Sequence, residues 1–208
     1  MIAPTTIMTI FFCLCLPWAS FAAEKSASGN QSRSFTLPQH GKLVLSVPST
    51  WKQTVRQPPG DLPPTITFSP DKGDEFKALI TPLWSPKKDP TFNKPDKVRS
   101  LIDNELRGML PSAVEQEVVI QEFKGVYGTG YHFLLTDKAP KPGEYPYLVR
   151  AGAGVGDLLL SVTVLFRSKN SEGISSTIKA IQEARQIYEL NVHQITPPEG
   201  NSFALHRR

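Results

Sequence analysis

From Phe35 onward, apolar and polar residues alternate with the period of two that a half-buried strand requires. Leu43, Leu45 and Val47 alternate with Lys42, Val44 and Ser46, and after a break at Pro48-Ser49-Thr50 the set Trp51, Gln53 and Val55 alternates with Lys52, Thr54 and Arg56. Gln57 to Pro64 (QPPGDLPP) cannot be a strand interior, because its four prolines remove ladder donors, so a stiff exposed loop is expected. Thr65–Ser69 places Ile66 and Phe68 on one face. Phe76–Trp84 does the same with Phe76, Ala78, Ile80 and Trp84, after a turn at residues 70–74.

The period then changes. Between Pro95 and Leu110, Val98, Leu101, Ile102, Leu106 and Met109 recur at three- and four-residue spacing, with Pro95 and Asp96 in the first turn and Gly108 and Pro111 at the end. This predicts an amphipathic helix with one buried stripe. Strands resume over Val118–Phe123 and Val126–Thr136. A proline-containing hairpin loop follows at Asp137–Gly143, then a strand pair, Tyr145–Ala153 and Asp157–Arg167, turned by Gly154-Val155-Gly156. Ser171 can cap a second helix with the stripe Ile174, Ile178, Ile181, Ala184 and Tyr188. Connections this short imply antiparallel hairpins, and helices with single apolar stripes must pack on the sheet. The pattern therefore predicts one α+β domain over residues 35–190: an antiparallel sheet of about seven to nine strands flanked by two amphipathic helices.

The ends read differently. An apolar run from Ile7 through Leu16 leads to Ser20-Phe21-Ala22 and then to the polar Glu24-Lys25. It is too short to span a bilayer and is followed by small residues, as in an export signal over residues 1–22 cleaved after Ala22 or Ala23. No Lys or Arg precedes the run, so only the α-amino group supplies the positive end. Residues 23–34 are polar and aperiodic and are expected to be a flexible lead-in; the tail over 191–208 has no period and is expected to be disordered. A periplasmic or secreted protein with no integral membrane anchor after cleavage follows.

Both cysteines, Cys13 and Cys15, lie inside the expected signal. Cleavage leaves no thiol, which excludes disulfides, thiolate zinc sites and cysteine nucleophiles from the mature chain and makes the apolar core the sole support of the fold. The formal net charge is +4, with local clusters only at Lys87-Lys88, Lys138 with Lys141, and Arg207-Arg208. None is interleaved with aromatics, so nucleic acid is not expected as a partner. Scattered charge of this kind reads as solvated surface, with weak attraction to an anionic envelope polymer or membrane surface as the alternative.

Val47-Pro48-Ser49-Thr50-Trp51, with an amphipathic strand on each side, resembles the "pro, two residues, trp" opening of the Mog/PsbP-like superfamily, and the order of strands and helices after it is similar. The resemblance covers roughly Phe35 to Tyr188. It implies a sheet flanked by helices and a binding or accessory role, as in exported bacterial members of the DcrB type. It transfers no site residue.

Candidate chemistry is sparse. Gly152-Ala153-Gly154-Val155-Gly156 precedes a strand where a phosphate loop would open a helix, so a hairpin turn is the better reading. Of His40, His132, His193 and His206, only His132 sits inside an expected strand, on the face opposite Tyr131 and Phe133. Glu115 with Glu117, and Asp71 with Asp74 and Glu75, are spaced as turn or surface acids, and no G-x-S-x-G elbow occurs. No catalytic residue, metal ligand or cofactor site is therefore expected. The remaining candidates for contact with a partner are Trp84 and the rigid loop bearing Gln57, Pro58, Pro59 and Asp61. The expected function is a non-catalytic binding or accessory protein of the cell envelope, meeting an unknown envelope protein or small ligand. A hydrolase using His132 with nearby acids, or a structural envelope protein, stands as the alternative.

Overall fold

Among the residues that the computed structural model describes, 29–169 and 171–188, the alternating segments form ten strands in two antiparallel sheets. In chain order they are β1 (Asn30–Leu37), β2 (Gly41–Pro48), β3 (Trp51–Arg56), β4 (Thr65–Pro70), β5 (Phe76–Leu83), helix α1 (Pro95–Met109), β6 (Gln121–Gly125), β7 (Gly128–Thr136), β8 (Tyr147–Val155), β9 (Leu158–Phe166), helix α2 (Glu172–Gln182) and β10 (Arg185–Ile187). The large sheet has seven strands in the order β3-β4-β5-β9-β8-β7-β6; the small sheet has three, β1-β2-β10. The α+β class and the two flanking helices are thus as expected, with part of the strand set split off into a second sheet.

The Pro48-Ser49-Thr50-Trp51 break is the point where the chain leaves one sheet for the other. β2 ends on Pro48 in the small sheet and β3 begins on Trp51 in the large one. Trp51 is 8% exposed and packs on Phe76 and Phe68, with ring centroids 4.8 and 6.0 Å apart. Arg33 of β1 spans the same junction by donating to the Trp51 carbonyl at 2.6 Å and to Gln53 Oε1 at 3.1 Å.

The main core lies between the two sheets and beneath α2. Leu43, Leu45 and Val47 face Ile66, Phe68, Ile80, Val162, Val164 and Phe166, and Ala180 and Ile181 of α2 close one side. A second cluster lies on the opposite face of the large sheet, where Val98, Ile102 and Leu106 of α1 pack on Tyr131, Phe133 and Leu135 of β7. Gly152 and Gly154 of β8 give α1 and its approach their seat: a Cβ on Gly152 would stand 3.1 Å from Val98, and one on Gly154 only 2.4 Å from the Asn93 carbonyl oxygen. Asn93 then donates to the Gly156 and Leu158 carbonyls at 2.8 and 2.9 Å.

α1 packs chiefly on β7 and β8, so the same face of the large sheet continues beyond it over β9, β5, β4 and β3. Strand alternation places Lys52, Thr54 and Arg56 of β3 there, opposite Ser69, Thr67 and Thr65 of β4. β5 adds Lys77, Leu79 and Thr81, opposite Leu165, Thr163 and Ser161 of β9. These residues are exposed or half-buried, and the Thr65 and Thr81 hydroxyls lie 3.1 Å apart on the open side.

Several sequence expectations need correction. Residues 30–34, expected in a flexible lead-in, belong to β1 and pair with Ser46–Pro48 and their neighbours on β2; the short polar side chains of this strand hide its period. α2 ends at Gln182, and Tyr188 of its expected stripe is 54% exposed beyond β10. Val118 and Ile120 pack on the α1 cluster ahead of the strand, which begins at Gln121. The β8–β9 turn is Gly156-Asp157, one step later than the glycine run suggests, with Gly156 at φ +62°. The expected signal, residues 23–28 of the lead-in and the tail over 191–208 lie outside the described residues.

Candidate functional site

Trp84 and the Gln57–Pro64 loop are brought to one end of the molecule, joined by the β1–β2 hairpin. Pro38-Gln39-His40 makes the turn, with Gln39 at φ 59° and Gly41 at φ 69°. From it Gln39 donates to Asp61 Oδ2 at 3.1 Å, while the His40 ring stacks on Trp84 at 4.5 Å and 22°. Gln57 Nε2 donates across its own loop to the Leu62 carbonyl at 2.9 Å, so Pro58, Pro59, Gly60 and Asp61 are held as a closed bend. Gln57, Pro59 and Asp61 are exposed, and Pro58 and Trp84 are half-buried, Trp84 resting on the edge of the main core.

Behind the stack sits a polar knot absent from the sequence expectations. His40 Nδ1 lies 3.0 Å from Asp157 Oδ2, and Gln186 donates to the His40 carbonyl at 2.9 Å and to the other Asp157 oxygen. The Gln186 side-chain oxygen in turn accepts from the Asp157 backbone amide at 2.8 Å. Two turns and the short strand β10, far apart in the chain, are tied here. His40 and Asp157 are separated by 117 residues, and only the glycines beside them mark either as a turn residue.

Burial, the largest single influence, pushes the Asp157 carboxyl up, but hydrogen bonds from Tyr188, Gln186 and His40 outweigh it and hold the carboxyl below its ordinary value. Burial, with the Asp157 charge, pushes the Tyr188 hydroxyl up to about 12. A carboxyl with a depressed folded value contributes stability above its unfolded value, about 3.9, and loses it as pH falls through the folded value. Asp157→Asn is therefore expected to flatten the acid limb of the thermal midpoint measured from pH 7 down to about pH 2. An unchanged limb would show that the knot does not hold the charge.

The other candidate chemistries are not brought together. His132 is half-buried beside Phe123, ring centroids 5.9 Å apart, and its Nδ1 is buried with no hydrogen-bond partner among the described residues. Burial alone pushes its imidazole down, toward the neutral form. Glu115 receives the Thr136 amide and hydroxyl at 2.8 and 2.6 Å, and Asp74 is clamped by Arg167 and Tyr145, whose phenol burial and Asp74 push up to about 12. His40 with Asp157 has the form of a base and its orienting acid, yet no hydroxyl nucleophile is hydrogen-bonded to that ring among the described residues. Among the described residues there is also no group of three His, Cys, Asp or Glu side chains that could hold a metal ion, and no helix long and apolar enough to cross a membrane. An open depression of about 420 Å³ between Arg107, Pro111, Glu115 and Lys138 lies at the opposite end of β7 and β8.

No family model matches the chain, and no curated protein matches it. Among solved structures it is similar to the cyanobacterial PsbP protein (CyanoP) of Synechocystis sp. PCC 6803, with 10% identity and a TM-score of 0.47 over 79% of this chain and 96% of that one. It is also similar to a protein of Bacteroides thetaiotaomicron VPI-5482, with 13% identity and a TM-score of 0.43 over 78% of this chain. The match spans 50% of that protein's length. These are weak likenesses of fold, one of them to a PsbP-like protein, and they assign neither family nor activity.

Proposed function

We propose that this is an exported, non-catalytic binding or accessory protein, periplasmic or secreted, and that it meets an envelope partner or small ligand at the end built from Trp84, the Gln39-His40 turn and the Gln57–Pro64 loop. The observation that carries the reading is the convergence there of three separate segments, which present a stacked aromatic pair beside a loop stiffened by proline. Such a surface loses little conformational entropy when it is covered. The candidate groups His40, Asp157, Glu115 and Asp74, by contrast, are engaged in structural hydrogen bonds, and the buried Nδ1 of His132 has no hydrogen-bond partner among the described residues. The apolar run over residues 7–16 and the resemblance at Val47–Trp51 support the export and the accessory role.

A thermal-shift screen of the purified protein against metals, nucleotides, lipids and cell-wall fragments tests this. A ligand at about a hundred times its Kd stabilises by about 2.7 kcal/mol, which for a domain of this size raises the midpoint by roughly 5–10 °C. The rise is expected with at least one class and is expected to vanish in Trp84→Ala. No rise with any class, or an equal rise in the variant, would overturn the proposed site.

A further inference from the structure

The open face of the large sheet carries a composition of its own. Each charged side chain that β3, β4, β5 and β9 place on it between Lys52 and Leu165 is basic: Lys52, Arg56 and Lys77. Around these bases the face is tiled with hydroxyls, Thr54, Thr65 and Thr67 among them. Three carboxylates stand at its margin, one of them Asp74, which is paired with Arg167 and whose charge also reaches Lys77. Asp71 lies 3.4 Å from Lys52, and Glu105 of α1 is committed to Arg150. Arg56 and Lys77 make no ion pair among the described residues.

Geometry decides what such a face fits. Neighbouring strands stand about 4.8 Å apart, and residues sharing a face repeat about every 6.8 Å along a strand, so the hydroxyls form an open grid that repeats both along and across the strands. Aromatic rings are missing from it, which removes the stacking platform that single-stranded nucleic acid uses. Apolar contact is confined to the half-buried Leu79 and Leu165, too little for the apolar centre of a protein interface. Remaining is an extended polymer that brings its own negative charge and its own hydroxyls.

We infer that this face binds an anionic polysaccharide, its carboxylates meeting Lys52, Arg56 and Lys77 and its hydroxyls exchanging hydrogen bonds with the threonine grid. The site lies on the side of the large sheet away from the small sheet and is independent of the Trp84 end, which rests on the main core.

Affinity electrophoresis of the full chain through gels containing polygalacturonate tests it, with dextran and poly-glutamate gels in parallel. Retardation by polygalacturonate is expected, weakening as salt shortens the screening length. The triple variant K52Q/R56Q/K77Q is expected to bind roughly tenfold more weakly at an unchanged thermal midpoint, since all three side chains are exposed. K138Q/K141Q/K179Q removes the same charge from other surfaces and is expected to leave binding intact. Equal loss in both triples would reduce the effect to net charge and overturn the site. Equal retardation by poly-glutamate would reassign it to an acidic peptide, and equal retardation by dextran would remove the role of the bases. Failure of this test leaves the Trp84→Ala result untouched, so the two surfaces are judged separately.

Discussion

Truncating Glu105 to alanine is expected to destabilise the domain by about 1.5–3 kcal/mol, the cost of stranding one partner of a part-buried, charge-assisted pair whose carboxylate side chain keeps 24% of its surface exposed. Arg150 rises from β8 into the angle between the sheet and α1, and its side chain is only 12% exposed. Its guanidinium holds Glu105 with two parallel bonds, one of 3.0 Å, and directs the remaining donors to the Val162 carbonyl and the Ser161 and Thr163 hydroxyls. Without the carboxylate, those neutral acceptors are left to solvate a full positive charge in a half-dry crevice, and α1 loses its polar tie to the sheet. Replacing both partners by apolar residues of similar size, Glu105→Leu with Arg150→Met, is expected to recover most of the loss, because it removes the charge together with its desolvation penalty. Urea unfolding decides between these outcomes: a single variant shifted by less than about 1 kcal/mol at unchanged slope would show the pair to be screened by solvent.

The second large effect is expected at Phe68→Ala, about 3–5 kcal/mol, from lost transfer energy plus the cavity left behind. Phe68 is fully buried at the joint between the two sheets. On the large sheet it touches Trp51 at 6.0 Å. From the small sheet Phe35 meets it edge-on at 6.0 Å and 80°, and the Arg33 guanidinium lies 5.8 Å over its ring. β4, which carries Phe68, is hydrogen-bonded to β3 on one side and β5 on the other and cannot move into the space, whereas β1 and β3 are edge strands with more freedom to relax, which places the variant within that range. Trp51 fluorescence is the natural probe of the joint. The neighbouring Thr67→Ala, on the open face, is expected to stay within about 0.5 kcal/mol of the parent. A comparable loss there would mean that the face is covered in the folded protein.

What could be read from the chain alone was whatever has a short period. Ile66 with Phe68, or Val98 with Ile102 and Leu106, announce strand and helix because the next residue of the same face is two, three or four positions away. The small sheet was hidden for the opposite reason. Arg185-Gln186-Ile187 is too short to display a period, and Ala184, buried as the helical stripe requires, carried that stripe past the true end of α2. The candidate site was half legible. Trp84 and the proline loop stand out by residue type, whereas the pairing of His40 with Asp157 depends on which turns the topology brings together, and no local pattern encodes that. The glycines of β8 were misread as a turn because their flatness serves the packing of residues 93–102 above them.

β10 sets an order on the life of the molecule. Among the described residues, the small sheet begins with the first strand and is completed by the last, and Gln186 reaches back 146 residues to His40. A polypeptide emerging from a ribosome, or threading through a translocation channel, can form the β1–β2 hairpin early, but the outer edge of β2 has no partner until almost all of the domain has followed. Closure over so long a loop is slow, and an open edge is an invitation to other chains. Any product that stops before Arg185 keeps that edge exposed for good, so integrity of the carboxyl-terminal end is a condition of solubility as much as of shape.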